Sequence, residues 1–300
     1  MYFSAFHILL RLYFKGLIGA CGVSVFYNLM RVYNFIQACR RKWKAALQFW
    51  FLTGVLSLVG SRVSSLIVLE FSLRVVSFTS HLCDDDSRGL ELLLIQSQFS
   101  LGCGLTCTLA FIHQGAPHSS FGLLLAAALS WVLASYSSSL WSHVARLFPQ
   151  HRTDCYCGKC ISLLTSGHTM MASLQRAVIL AFATAAVAST TTVYEHFLSQ
   201  KDAMKFWTPL TLCYTMLVAY NQEEQKRMTV TETLLRTVVL RLGGLLVLML
   251  AVGYWSDVLH VLIAFLGEGV CLLPAQDLLQ AAVKVLSLLD CNSYIVGYFT

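Results

Sequence analysis

The densest group of reactive side chains in the sequence is Asp154-Cys155-Tyr156-Cys157-Gly158-Lys159-Cys160. His151 stands four residues before Cys155, and His168 eight beyond Cys160. Three thiolates and an imidazole (His151, Cys155, Cys157 and Cys160) could hold zinc tetrahedrally, with Gly158 allowing the tight turn between the last two thiols. Structural zinc sites usually join two C-x2-C pairs, and only one is present here. The same run suits acylation beside a membrane, or a purely structural role. The Cys157–Cys160 spacing is also that of a redox dithiol, without the strand–helix context such chemistry needs. No cofactor is required by any of these patterns.

A second set of residues matters for its setting. Arg62, Glu70 and Arg74 lie in or beside one apolar run. Asp257 and His260 stand i,i+3 between two others. Charged groups at membrane depth are costly and often mark transport paths. Glu70 and Arg74 are spaced i,i+4, share a helix face and can neutralise each other, while Arg62 can snorkel. These five residues form a candidate intramembrane polar site. No catalytic residue is assigned: G-x-S-x-G, H-E-x-x-H and phosphate-loop patterns are absent. Asp84-Asp85-Asp86 is a single acidic cluster without a second opposite it, and reads as a solvated loop.

The elements that must position these groups are membrane helices. The chain is 57% hydrophobic and 12% charged, with a mean hydropathy of +0.66. Soluble domains carry about 25% charged residues, so there are too few charges here to coat a globule. Uncharged runs such as 121–140 and 177–194 need lipid as their solvent. The fold class is an all-α polytopic transmembrane bundle of about seven to eight spans. Expected spans are 17–38, 46–69, 91–113, 119–141, 171–194, 205–220 and 231–255, with a short run at 258–273 that crosses obliquely or re-enters. Residues 1–15 lead in as an interfacial helix or begin the first span early. The bundle occupies 1–274, and 275–300 forms an amphipathic interfacial helix and short tail, because Leu278, Leu279, Ala282, Val285, Leu286 and Leu289 share one face.

Two helices carry small-residue faces. Gly16, Ala20, Ser24 and Asn28 recur at i,i+4 on the first, and Asn28 can hydrogen-bond across a close contact. Ser173, Ala177, Ala181, Ala185 and Ser189 repeat the device on the fifth. Orientation is contested within the sequence. Arg40, Arg41, Lys42 and Lys44 favour a cytosolic first loop. With residues 46–69 as one span, strict alternation then puts Arg146, Arg152 and Lys159 outside. Splitting 46–80 into a hairpin near Gly60-Ser61-Arg62 reverses the parity and brings the later basic loops inside.

Residues 16–25 (GLIGACGVSV) and 59–74 (VGSRVSSLIVLEFSLR) resemble the transmembrane protein 82 family. The resemblance implies a multi-pass vertebrate membrane protein and supplies no settled activity or catalytic residue. Two function classes follow from the residues. One is transport or lipid handling around Arg62, Glu70, Arg74 and Asp257. The other is a non-catalytic membrane scaffold or assembly partner built on the small-residue faces. Expected partners are membrane lipids, with a homo-oligomer or a membrane-protein partner in the scaffold case. Nucleic acid is excluded by the lack of any basic stripe interleaved with aromatics.

Overall fold

A computed structural model describes residues 2–33, 42–80, 93–114, 119–151, 158–196, 230–252 and 254–296. The long elements among them are helical: α1 (Tyr2–Tyr33), α2 (Lys42–Leu58), α3 (Ser61–Ser80), α4 (Gln98–Ile112), α5 (Ser119–His151), α6 (Gly158–His196), α7 (Val230–Val252) and α8 (Trp255–Val296). The physical reason is that lipid offers no partner to a free N–H or C=O, so the backbone must satisfy itself within each segment. Among the described residues, four helices are long and apolar enough to cross a membrane: Phe6–Tyr33, Ser120–Ala145, Thr169–Tyr194 and Trp255–Ala275. A bent pair, Ala45–Leu58 and Ser61–Val76, makes up to five. The protein is thus all-α and multi-pass, with four to five candidate spans. The expected span at 205–220 lies outside the described residues.

Residues 46–69 are not one helix. The backbone breaks at Val59 and Gly60, and α2 and α3 are bent by 106°. Contacts give the helix directions. α1 and α5 run parallel, because Arg11 Nη2 meets Ser120 Oγ at 3.3 Å and Asn28 Nδ2 meets Ser137 Oγ at 3.1 Å, the same 109-residue offset. α4 precedes α5 in the chain and runs back along α1, with Gly19 against Gly102 and Thr106. α2 also opposes α1: Gly16 packs on Thr53 and Ser57, near the far end of α2. A Cβ at Gly16 would lie 2.7 Å from the Thr53 carbonyl oxygen, a spacing that no other residue tolerates. α3 returns antiparallel to α4, with Ser65 Oγ 3.2 Å from Cys107 Sγ. α1 and α4 thus run in opposite directions, with the bent α2–α3 pair between them in the chain.

α6 follows α4, with Ala185 against Gly104 and Ser189 Oγ 3.5 Å from Cys107 Sγ. α8 runs with α1: His260 sits on Gly60, Gly267 on Val55 and Phe99, and Pro274 on Tyr27. α8 continues through Pro274 and buries Ala275 and Leu278 completely. Proline inside a helix frees the carbonyl four residues back. That carbonyl, Val270 O, accepts a hydrogen bond from Gln48 Nε2 at 3.0 Å, and the Pro274 oxygen accepts one from Tyr27 Oη at 3.0 Å. The core lies at the junction of α2, α3, α4, α7 and α8, around Val55, Ile67, Phe99, Leu242 and Ala264. Large apolar side chains on α5 and α6, such as Leu125, Leu129, Leu133, Leu180 and Val187, face outward as lipid-facing residues do.

Candidate functional site

The intramembrane charges separate into two groups. α3 carries Arg62 at its start and Glu70 two turns later, so about 12 Å along the axis lies between them. Arg62 Nη1 pairs with Asp257 Oδ2 at 3.0 Å. The Arg62 guanidinium also lies 5.3 Å from the ring centre of Tyr254, whose backbone N–H reaches Asp257 Oδ2 at 3.4 Å. The His260 ring would stand 3.0 Å from a Cβ at Gly60. The turn between α7 and α8 thus meets the break between α2 and α3, and joins Arg62, Asp257 and His260 in one place.

The second group is deeper. Glu70 Oε2 lies 3.2 Å from Arg241 Nε, and Arg241 Nη2 lies 2.7 Å from Glu268 Oε2. All three side chains are at most 4% exposed. The N–H axes do not point squarely at the oxygens, so these are charge pairs rather than aligned hydrogen bonds. Arg74 adds a second positive charge within electrostatic reach of Glu70, and its guanidinium stacks 5.0 Å from the Phe71 ring. Sequence spacing pairs Glu70 with Arg74. The structure places Arg241 closest, from a helix far along the chain. Arg241 and Glu268 were missed, although Arg241 is the deepest of the charges in the run 231–255 and Glu268 the one carboxylate of 258–273, and a charge so placed in an apolar run is the signal that finds them.

Neither group lines the principal cleft described here. That cleft, of about 940 Å³, lies between α1, α2 and α5, with Gln98 of α4 and Cys271 of α8 also in its wall. Ala20, Ser24 and Asn28 line it from α1, while Gly16 lies beyond it in the α1–α2 contact. Asn28 donates to Ser137 Oγ at 3.1 Å and to Ser24 Oγ at 3.5 Å. A serine row on α5 (Ser135, Ser138, Ser139 and Ser142) lines the opposite wall. Phe49, Trp50 and Trp131 cluster at one edge with ring centres 5.4 to 5.9 Å apart. At the other end the Arg31 guanidinium lies 4.0 Å over the Trp141 ring and 5.2 Å from that of Tyr27. Arg31 and Gln98 were not singled out in the sequence, because each depends on neighbours from other helices.

The cysteine motif is placed only in part. His151 ends α5 and Cys160 lies in the first turn of α6, while Cys155 and Cys157 lie outside the described residues. Among the described residues no three His, Cys, Asp or Glu side chains converge on a metal position. On the fifth expected span, now α6, Ala185 and Ser189 are fully buried against α4.

The family model described as Transmembrane protein 82 matches residues 10–288. No solved structure matches the chain.

Proposed function

We propose, for a chain that belongs to the transmembrane protein 82 family, that it handles amphipathic molecules within the membrane, and that the α1–α2–α5 cleft is where they bind. The observation that carries this is the cleft itself. It is large enough for a drug- or lipid-sized ligand, it lies along a membrane-crossing helix, and its walls mix serine hydroxyls and amides with aromatic rings. A wall that faced only hydrocarbon would gain nothing from such a row of polar groups. The ion pairs at Arg62–Asp257 and Glu70–Arg241–Glu268 then serve to hold the two hairpins, α2–α3 and α7–α8, behind the cleft. The scaffold alternative loses its basis on α1, where Gly16 and Gly19 are used in contacts within the chain.

The same helix directions support an orientation and a count. α1 and α5 end, and α2 and α6 begin, at one face, where Arg40 and Arg41 follow α1 in sequence and Lys159 opens α6. By the positive-inside rule this face is cytosolic. The four long helices, the bent pair and the two shorter apolar helices support the count of seven to eight spans, with the expected span at 205–220 as the eighth.

Photo-crosslinking tests the function. A diazirine-bearing amphiphile added to the reconstituted protein is expected to label peptides covering 20–31 and 134–142 saturably, and an excess of unlabelled amphiphile should compete. Labelling confined to the outward faces of α5 and α6, without competition, would rule out a cleft ligand.

A further inference from the structure

We infer that Gln98 anchors the head of the bound amphiphile, by a hydrogen bond from its side-chain amide to an oxygen acceptor, a hydroxyl or an ester carbonyl. This rests on the proposal that the cleft holds an amphiphile, and adds the residue and the chemistry that hold its head. Gln98 lines the cleft from the start of α4, is 2% exposed, and its Nε2 has no hydrogen-bond acceptor. A buried amide N–H without an acceptor is rare in a folded protein and costs stability. The other amide and phenol donors of the wall are already occupied. Asn28 donates to Ser137, Gln48 to the Val270 carbonyl, and Tyr27 to the Pro274 carbonyl. The end torsion of a glutamine side chain is soft, so a small turn of the Gln98 amide presents its N–H to a group in the cleft.

Gln98 stands at the polar end of the cleft. Gly102 of α4 packs against Gly19 and Val23 of α1. α4 runs against α1, so Gln98, one turn before Gly102, stands one turn beyond Val23, level with Tyr27. By the 109-residue offset of the parallel helices α1 and α5, Ser135 and Ser138 lie within about one turn of that level. The apolar end is deeper. Trp131, by the same offset, lies roughly 8 Å nearer the membrane centre, where Phe49 and Trp50 pack on it and Ala20 and Leu52 complete the wall.

This gradient fixes the pose. The head lies between Gln98 and the serine row, and the chain runs inward past the Phe49–Trp50–Trp131 cluster. The amide discriminates by hydrogen bonding. A head without an oxygen acceptor enters only by leaving the Gln98 N–H buried and unpaired, which is how a polar wall group rejects an analogue that lacks its partner. A hydroxyl accepts from the amide and also donates to a serine of the row, whereas an ester carbonyl only accepts.

Photolabelling of the reconstituted full chain tests this with three uncharged probes of equal chain length, each with a diazirine in its chain: a fatty alcohol, a fatty-acid methyl ester and an alkyl chloride. At least one oxygen-bearing probe is expected to half-saturate labelling of the cleft walls at a mole fraction about fivefold or more below that of the chloride. Tighter binding of the alcohol identifies a hydroxyl head, and tighter binding of the ester identifies an acyl carbonyl. Gln98→Met keeps the length of the side chain and removes its amide. It should cut the preference over the chloride to within about twofold and leave the chloride itself unchanged. Comparing parent and variant with the same probe cancels that probe's own partition into the bilayer. Without added probe the variant should unfold at or above the temperature of the parent, because Gln98 gives up no hydrogen bond within the chain. Equal half-saturation by all three probes overturns the assignment, as does an unchanged preference in Gln98→Met, which would leave water or the serine row as the contact. A variant that unfolds earlier or fails to fold also overturns it, by making Gln98 a structural residue. Each of these leaves amphiphile handling standing. Failure of every probe to label the cleft saturably overturns both.

Discussion

Arg241 stands between two buried carboxylates, and its removal should damage the fold more than removal of the whole group. Glu70 and Glu268 lie 3.2 and 2.7 Å from the guanidinium, and none of the three side chains is more than 4% exposed. Arg241→Met keeps the length and apolar volume of the stem and leaves two desolvated negative charges facing each other. Breaking a buried pair costs about 3–5 kcal/mol, because the surviving charge has no compensation. Two carboxylates survive here, so the loss should fall at the upper end of that range. The triple replacement Glu70→Gln, Arg241→Met, Glu268→Gln removes these three charges together, and apolar or neutral substitutes for a buried ionic group are often tolerated. It should recover most of the loss. The assay is thermal unfolding of purified protein in detergent, followed by intrinsic fluorescence. The single variant should unfold on the order of 10 °C lower, and the triple variant should lie much closer to the parent. If the triple variant is as unstable as Arg241→Met, the three charges are not an isolated unit, and Arg74 or a ligand must be part of the balance.

Three further outcomes follow from the packing and the helix directions. Gly16→Val should disrupt the α1–α2 contact and lower the yield of folded protein in fluorescence-detection size-exclusion chromatography; Gly54→Ala, with open space around it, should leave the yield unchanged or raise it, since glycine within a helix costs about 0.5–1 kcal/mol relative to alanine. Gln48→Leu strands the Val270 carbonyl freed by Pro274, so thermal unfolding should show a loss of about 1–3 kcal/mol, whereas Gln48→Glu combined with an unchanged Tyr27 should also lose the bond, because a carboxylate cannot donate it. A membrane-impermeant thiol reagent on intact cells should leave Cys155, Cys157 and Cys160 unlabelled and should label them after permeabilisation; strong labelling from outside, lost on triple Cys→Ser replacement, would contradict the cytosolic placement of the face where α1 and α5 end.

Much of the architecture is legible from the residues because lipid imposes so narrow a choice. A run without charges such as 121–140 must be helical if it is to satisfy its own backbone, and α5 covers it. The break at Val59-Gly60 is also present in the sequence as the Gly60-Ser61-Arg62 alternative. What selects it is tertiary: the His260 ring rests on Gly60, and Arg62 finds Asp257 beyond it. Local spacing misleads where a local partner competes with a distant one. Arg74 is the obvious neighbour of Glu70 at i,i+4, but Arg241 reaches it at 3.2 Å from α7. The cleft is the least legible feature. Ser135, Ser138, Ser139 and Ser142 read as minor polar interruptions of a lipid-facing helix, and become a wall only when α1 lies parallel to α5.

The occupancy of the cleft can be measured through Trp141, which packs on Arg31 at its outer end. A variant that retains Trp141 and replaces the other tryptophans with phenylalanine is reconstituted into bilayers containing an amphiphile brominated beside its head. Bromine quenches tryptophan only on near contact. A ligand seated in the cleft predicts quenching that saturates at low mole fraction and is reversed by an unbrominated amphiphile of the same length. Quenching that rises only in proportion to the brominated fraction of the bilayer, with no saturation and no reversal, would mean that Trp141 meets bulk lipid alone and that the cleft holds no ligand.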